Sequence, residues 1–115
     1  MVLIVDDEPT LLTAMARLLR RRGLTVLMAG DATAALRLLE EWAQPVNLLI
    51  TDLRLPDLPG AELGRLVLSR GLARRVLFVS GMVEEDARGP GIAPVLAKPF
   101  RPGELGRTVE LLLQA

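Results

Sequence analysis

With 115 residues and a mass of 12.5 kDa, the chain is long enough for one domain with a proper core, and half of its residues are apolar. Its 14 basic and 14 acidic residues cancel, so no net charge favours binding to nucleic acid or to an anionic membrane. Cysteine and histidine are both absent, which excludes disulfides, thiol or imidazole catalysis and thiolate metal sites, so any metal must be held by oxygen.

The sequence predicts a single domain over residues 1–115, with no room for an output domain. No basic region followed by a long apolar run opens the chain, because charge arrives at Asp6, and no later segment approaches the span of a bilayer. We therefore expect a cytoplasmic domain that contacts neither a membrane nor nucleic acid directly.

Short apolar runs alternate with segments of helical periodicity along the chain. The runs predict strands at residues 2–5, 24–28, 48–50, 75–79 and 95–97. The periodic segments predict helices at 9–22, 32–42 and 61–69 and from 102 onwards. Between the last two strands, 82–88 allows about two helical turns before glycines and prolines intervene, so we expect a short or irregular fourth helix. This alternation predicts an α/β fold with a parallel, doubly wound sheet.

Two features of the predicted helices have simple structural interpretations. Trp42 falls on the inward stripe of the second helix and is predicted to lie in the core. The basic run 20–22 ends the first helix, where cations complement the helix dipole, and we favour this interpretation over a phosphate-binding patch.

Polar side chains follow four of the predicted strands at the same end. They are Asp6 and Asp7 after the first, Asp52 after the third, Ser80 after the fourth and Lys98 after the fifth. Because ligands of open parallel sheets bind in the crevice at the carboxyl ends of the strands, these residues predict a single site. Ordinary polar loop starts are the weaker explanation, since four strands share the pattern.

The predicted site has a distinctive chemistry. Three carboxylates within a few ångströms repel one another, and Mg²⁺, which prefers oxygen ligands, is the natural counterion. A carboxylate beside Mg²⁺ and a lysine can attack phosphorus, because both cations neutralise charge on the transferred group. The sequence thus suggests phosphorylation of an aspartate at this site, with Ser80 able to donate to a phosphoryl oxygen and Lys98 supplying the ammonium.

Along nearly its whole length the sequence resembles the receiver domains of two-component response regulators. The resemblance is carried, in order, by LIVDDEP, LLITDLRLPDLPG, VLFVSG and LAKPF. The SGM and LAKPF wording is most similar to receivers appended to hybrid sensor histidine kinases. The resemblance implies a flavodoxin-like fold with strand order 2-1-3-4-5, and a signalling domain rather than an enzyme, with at most slow self-dephosphorylation.

The resemblance also implies residue roles at the site. Asp52 would accept phosphate from a sensor histidine kinase or a histidine phosphotransfer protein. Asp6 and Asp7 would hold Mg²⁺ together with Asp52 and the backbone carbonyl of Arg54. Ser80 would be the switch hydroxyl.

Further implied features lie after the last strand. Lys98 would contact the phosphate and precede a cis bond to Pro99.

The resemblance implies two kinds of partner, a phosphodonor and a downstream effector that the sequence does not identify. It also implies that the domain is a monomer or a phosphorylation-dependent dimer. Leu12, at the edge of the first helix's apolar stripe, is either widened core or docking surface for the phosphodonor.

One position departs from the family pattern. An aromatic residue usually lies three positions before the lysine and swings inward on activation, whereas this chain has Val95. A rotating ring therefore cannot transmit the signal, and we hypothesise that phosphorylation reorganises residues 81–94 instead. Arg54 and Met82 flank the phosphate in the family pattern and are candidates for tuning its lifetime.

Three other functions compete with this prediction. An aspartyl-nucleophile hydrolase of the haloacid dehalogenase type generally needs a second acid two residues after the nucleophile, where this chain has Arg54. A flavodoxin-like cofactor binder would need a first loop that cradles phosphate, and the acidic run 6–8 would repel one. A receiver-like module that is never phosphorylated normally lacks an acid or the lysine, and all are present here.

Overall fold

The computed structural model describes residues 1–81 and 91–114. Its strands are β1 (Val2–Val5), β2 (Val26–Ala29), β3 (Leu48–Asp52), β4 (Val76–Ser80) and β5 (Val95–Ala97). Its described helices are α1 (Pro9–Arg21), α2 (Ala32–Glu41), α3 (Gly60–Ser69) and α4 (Pro102–Gln114). The short helix predicted at 82–88 falls on residues 82–90, which lie outside the described residues.

The strands form one parallel sheet of order β2-β1-β3-β4-β5, which confirms the predicted topology. Successive side chains point to opposite faces, so each strand contributes to two cores. Val2 and Ile4 pack towards α1 and α4, whereas Leu3 and Val5 pack towards α2 and α3. Because both faces are covered, β1, β3 and β4 are buried throughout, as their continuous apolar runs predicted.

Local capping explains where the first two helices begin. The Glu8 carboxylate accepts hydrogen bonds from the amides of Thr10 and Leu11, and so satisfies two of the unpaired donors at the start of α1. Asp31 caps α2 by accepting from the amide of Ala34 at 2.7 Å. None of the described helices is long and apolar enough to cross a membrane.

Two predictions about helix ends met different outcomes. The core placement of Trp42 was wrong: α2 ends at Glu41, and Trp42, as its C-cap residue, is 44% exposed. At the end of α1, Arg20 donates to the Val26 carbonyl at 2.8 Å and Arg22 pairs with Glu110 of α4. Those contacts favour the structural interpretation of the basic run.

Candidate functional site

The topology brings the predicted site residues to one edge of the sheet. Asp6 directly follows β1, while Asp52 and Ser80 are the last residues of β3 and β4. Lys98 directly follows β5, where its amide donates to the Ser80 carbonyl at 2.7 Å. All of these strands are parallel, so their carboxyl ends lie side by side.

The carboxylates of Asp6, Asp7 and Asp52 form a compact acidic group. Oxygen atoms from the three side chains lie within 4.8 Å of one another. Asp6 is 1% exposed and Asp52 9%, whereas Asp7 is on the surface. The group therefore extends from the protein interior to solvent, which gives a small ligand access from the side of Asp7.

Backbone amides orient the two buried carboxylates. Oδ1 of Asp6 accepts from the amide of Glu8, and Oδ1 of Asp52 accepts from the amide of Arg54, both at 2.9 Å. Each aspartate thus has one oxygen fixed by the turn that comes after it. The second oxygen of each is directed to the same cation.

That cation is the ammonium of Lys98, which lies between the two carboxylates. Its Nζ is 2.9 Å from Oδ2 of Asp6 and 2.6 Å from Oδ2 of Asp52. Burial disfavours the charged form, but the hydrogen bonds to Asp52 and then Asp6 outweigh it, so the pKa of Lys98 is raised above its usual value. The lysine is therefore positively charged at neutral pH. The peptide bond after it, Lys98–Pro99, is cis as predicted.

The remaining predicted residues surround this cluster. Ser80 is buried at the end of β4, one residue beyond Val79, the register partner of Asp52. Val95 is half-buried and packs towards the core beside α2 and α3, so no aromatic ring occupies the position three residues before the lysine. Met82 and most of segment 81–94 lie outside the described residues, and the predicted reorganisation there remains a prediction.

The sequence did not identify two residues that support the site. They are Asp57, in the β3–α3 loop (residues 53–59), and Gly60, the first residue of α3. A Cβ on Gly60 would lie 1.9 Å from the Asp52 carbonyl oxygen, so only glycine allows α3 to start this close to the end of β3. Asp57 reaches across to α2 and accepts hydrogen bonds from Ala32 and Thr33. The Pro-Asp-Leu-Pro-Gly pattern indicates a turn, but no local signal reveals a partner 24 residues away.

An apolar cavity of about 400 Å³ lies beside the cluster. It is lined by Leu11, Gly81, Lys98, Pro99 and Phe100. Leu11 and Phe100 were not predicted as site residues, because as apolar residues near element ends they look like ordinary core. Leu12 is half-buried against the core beside α1 and α4, which is consistent with the widened-core interpretation.

The donor set suits a hard divalent cation. Three carboxylates and one ammonium leave two negative charges in a small volume, and all of the acidic donors are oxygen. Mg²⁺ prefers such oxygen ligands combined with water, and the exposed position of Asp7 leaves room for water. The residues present therefore fit Mg²⁺, as the sequence predicted.

The structure is a doubly wound sheet with acids and a lysine at its carboxyl edge, and comparison with known proteins identifies the family. The family model of the response regulator receiver domain matches residues 2–110, and the chain belongs to that family. Receiver domains are signalling modules, generally not enzymes, that bind Mg²⁺ at an aspartate cluster and interact with histidine kinases and effectors.

Similar proteins include both regulators and kinases. The chain is 37% identical over 111 residues to the rice (Oryza sativa) two-component response regulator ORR24, covering 94% of this chain and 18% of the relative. It is 33% identical to the sensor kinase CckA of Brucella abortus, covering 98% of this chain and 12% of the kinase. The crystal structure of the receiver domain of the hybrid histidine kinase CckA superposes with a TM-score of 0.81 at 35% identity, with 98% of each chain covered.

The comparisons confirm the predicted family, including its similarity to receivers of hybrid kinases. The chain spans less than a fifth of the length of ORR24 and of the CckA kinase.

Proposed function

We propose that this chain is the phosphoacceptor receiver of a two-component phosphorelay. Asp52 takes a phosphoryl group from the phosphohistidine of a sensor histidine kinase or a histidine phosphotransfer protein. The observation that carries this proposal is the Lys98 ammonium held 2.6 Å from Asp52 and 2.9 Å from Asp6 at the carboxyl edge of the sheet. Such a cluster has the charges that phosphoryl transfer to a carboxylate requires.

Of the two carboxylates bonded to Lys98, accessibility favours Asp52 as the nucleophile. Asp6 has a fully buried side chain, whereas 12% of the Asp52 side chain remains accessible and lies next to the lysine. A carboxylate oxygen of Asp52 forms a bond to phosphorus as the phosphorus–nitrogen bond of phosphohistidine breaks, and the ring nitrogen leaves with the electron pair. Lys98 neutralises charge on the transferred oxygens from its present position.

The metal ligands proposed are Asp6, Asp7, Asp52 and the backbone carbonyl of Arg54. Mg²⁺, when bound there, would offset the charge that the carboxylates and the phosphoryl oxygens share. Asp6 and Asp52 are already oriented by amides of the turns after them. The chain therefore contributes a preorganised pair of ligands, with Asp7 added from the surface.

The apolar cavity beside Lys98 supports a docking role for its rim. A phosphohistidine lies on the surface of its own protein, so the donor must approach Asp52 closely. Leu11 and Phe100 offer apolar area next to the nucleophile, and we assign them to contact with the donor. Leu12 packs against the same core as Leu11 and Phe100 but is not among the described residues that line the cavity, so it would contribute less.

The phosphorylated state would act as a switch. A phosphoryl group adds close to two negative charges and three acceptors, enough to bias a segment with two arrangements. Ser80 and Lys98 would donate hydrogen bonds to the phosphoryl group, and residues 81–94 come directly after Ser80. Because position 95 is valine, a rearrangement of that segment would not involve a rotating aromatic ring. It would alter binding to a downstream effector, with the protein acting as a monomer or as a phosphorylation-dependent dimer.

The test is intact-mass spectrometry after incubation with acetyl phosphate and Mg²⁺. We expect one phosphate adduct in the parent, none in Asp52→Asn and none when Mg²⁺ is chelated. Glu62→Gln, which removes an exposed acid from the first turn of α3, serves as the control, and it should retain the adduct. A folded parent without adduct, under conditions in which it also ignores beryllofluoride, would contradict phosphorylation and favour an interaction module that is not phosphorylated.

A further inference from the structure

The carboxylate of Asp57 joins the β3–α3 loop to the first turn of α2. Oδ1 accepts from the amide of Ala32 at 3.0 Å, and Oδ2 accepts from the amide of Thr33 at 2.8 Å and its hydroxyl at 2.7 Å. These partners are 24 and 25 residues distant along the chain, so the contact is tertiary. We call it the Asp57 latch.

The latch uses donors that the helix itself leaves unpaired. The first amides of an α-helix have no intrahelical acceptor and carry the positive end of the helix dipole. The hydroxyl of Thr33, followed by the amides of Thr33 and Ala32, lowers the pKa of Asp57 to about 2. The latch is therefore charged at every pH at which the protein would signal.

The β3–α3 loop needs such support because it orients the proposed nucleophile. The loop starts at Leu53, whose amide donates to the Val79 carbonyl, and closes where the Gly60 amide donates to the Leu53 carbonyl at 2.9 Å. Between these fixed ends, the amide of Arg54 holds Oδ1 of Asp52. Asp57 attaches the middle of the loop to α2 by hydrogen bonds, while Leu55 and Leu58 pack against the core beside α2 and α3.

We propose that Asp57 is a positioning residue for the phosphorylation site, acting by holding the β3–α3 loop in the arrangement in which Arg54 orients Asp52. This inference rests on the proposed function, because its readout is the proposed Mg²⁺ site. Without the latch the loop populates a second arrangement in which Asp52 is not oriented. The apparent affinity for Mg²⁺ then falls in proportion to the fraction that remains correctly arranged.

A second cap on the same helix provides a matched control. Asp31 also binds the start of α2, through the amide of Ala34 at 2.7 Å, but it is not part of the β3–α3 loop. Asp31→Ala and Asp57→Ala each remove one acid and one cap from α2, so both should lower the Tm. Only Asp57→Ala should weaken Mg²⁺ binding, raising its Kd about threefold to tenfold as the oriented fraction falls to roughly a third or a tenth.

The experiment is a backbone amide chemical-shift titration with Mg²⁺ at constant ionic strength, alongside thermal unfolding, on the parent and both variants. Two smaller changes refine it. Thr33→Val removes one of the three hydrogen bonds and should raise the Kd by less than Asp57→Ala, whereas Thr33→Ser keeps the hydroxyl and should match the parent. If Asp57→Ala fails to fold, the Thr33 pair decides the question.

The outcomes separate the two proposals. A parent Kd retained in folded Asp57→Ala, or in Thr33→Val where that pair decides, overturns the positioning role. Equal weakening in Asp31→Ala and Asp57→Ala overturns it too, because the effect then belongs to the stability of α2. A parent that binds no Mg²⁺ overturns the proposed function itself, and the positioning role with it.

Discussion

The turn after β1 and the loop after β3 begin alike, with an aspartate whose carboxylate is divided between a backbone amide and Lys98. Asp6 binds the amide of Glu8 and Asp52 that of Arg54, in each case two residues further on and at the same distance of 2.9 Å. The two connections differ in length. After Asp6 the chain enters α1 within three residues, whereas after Asp52 it makes a seven-residue loop, 53–59, before α3.

Under the proposed function, this difference distinguishes Asp6, a proposed metal ligand only, from Asp52, which is the proposed nucleophile as well. The short connection after β1 leaves Asp6 fully buried, and it is fixed by the helix that starts beside it. The longer loop leaves Asp52 partly accessible to a donor, but its geometry depends on contacts with α2 and α3. Asp6 is thus held by a short turn and the helix beside it, whereas the position of Asp52 depends on contacts between its longer loop and other elements.

The strongest test of the comparison exchanges each aspartate for asparagine. Asp52→Asn should abolish the phosphate adduct, because the nucleophilic oxygen is lost. Asp6→Asn should leave the adduct on Asp52 but weaken Mg²⁺ binding by at least about tenfold, since even partners of metal ligands commonly contribute that much. Peptide mapping of the adduct checks the assignment, and a phosphate found on Asp6 in Asp52→Asn would show that the two positions are interchangeable.

Gly60→Ala tests how far the β3–α3 loop depends on the close approach of α3. The new Cβ would meet the Asp52 carbonyl oxygen at 1.9 Å, so backbone must move, and we expect a loss of about 3 kcal/mol or more in the free energy of unfolding. Gly103→Ala in the first turn of α4 is the matched control, because the nearest atom to its Cβ is the end of the Arg107 side chain at 3.9 Å. Chemical denaturation measures both, and equal effects would contradict the role of Gly60.

Lys98→Met tests the cation that the two aspartates share. Asp6 and Asp52 would face each other uncompensated, so without Mg²⁺ we expect the variant to be about 2 kcal/mol less stable than the parent. Mg²⁺ should stabilise the variant more than the parent, because it restores the missing positive charge. Unfolding titrations with and without Mg²⁺ measure the difference, and Lys98→Arg is the charge-preserving control.

The pH dependence of the same variant has a defined sign. The pKa of Lys98 is raised in the folded protein, so its stabilising effect is complete below the ordinary lysine value of 10.5 and is lost as the pH rises through the higher folded value. The gap between parent and Lys98→Met should therefore stay constant from neutral pH to about 10 and close only above that. A gap that closed near neutral pH would point to another group.

Glu8 offers the smallest test, on the side of β1. Its carboxylate caps α1 by accepting from Thr10 and Leu11, so Glu8→Ala should cost about 1 kcal/mol in the free energy of unfolding. Glu8→Gln loses the same charge near the acidic group but keeps a side-chain acceptor, so it should be the more stable of the two. Equal stabilities would mean that the cap contributes nothing and that Pro9 suffices to start the helix.

The sequence predicted the part of the site that the topology alone determines. Residues directly after parallel strands must meet at one edge, so Asp6, Asp52 and Lys98 could be placed together without knowledge of any loop. The buried strands could also be predicted, because strands covered on both faces are continuous short apolar runs that alternate here with helical segments. The bounds of β1 and β5 match the prediction, and those of β2, β3 and β4 differ from it by at most two residues.

Long-range contacts could not be read in this way. The latch joins Asp57 to residues 24 and 25 positions away, and the constraint on Gly60 comes from the backbone carbonyl of Asp52. Neither contact leaves a periodic pattern in the sequence. Trp42 was misplaced for a related reason, since the helical stripe predicts burial only as far as the helix continues.

The exposed position of Trp42 has an optical consequence. It is the only tryptophan and the chain has no tyrosine, so the intrinsic fluorescence comes from one indole ring that is partly exposed to solvent. That ring lies just past the end of α2 opposite the Asp57 latch, about 15 Å along a ten-residue helix. The emission of Trp42 should therefore not change when a ligand binds at the carboxylates alone. It should change when the end of α2 moves.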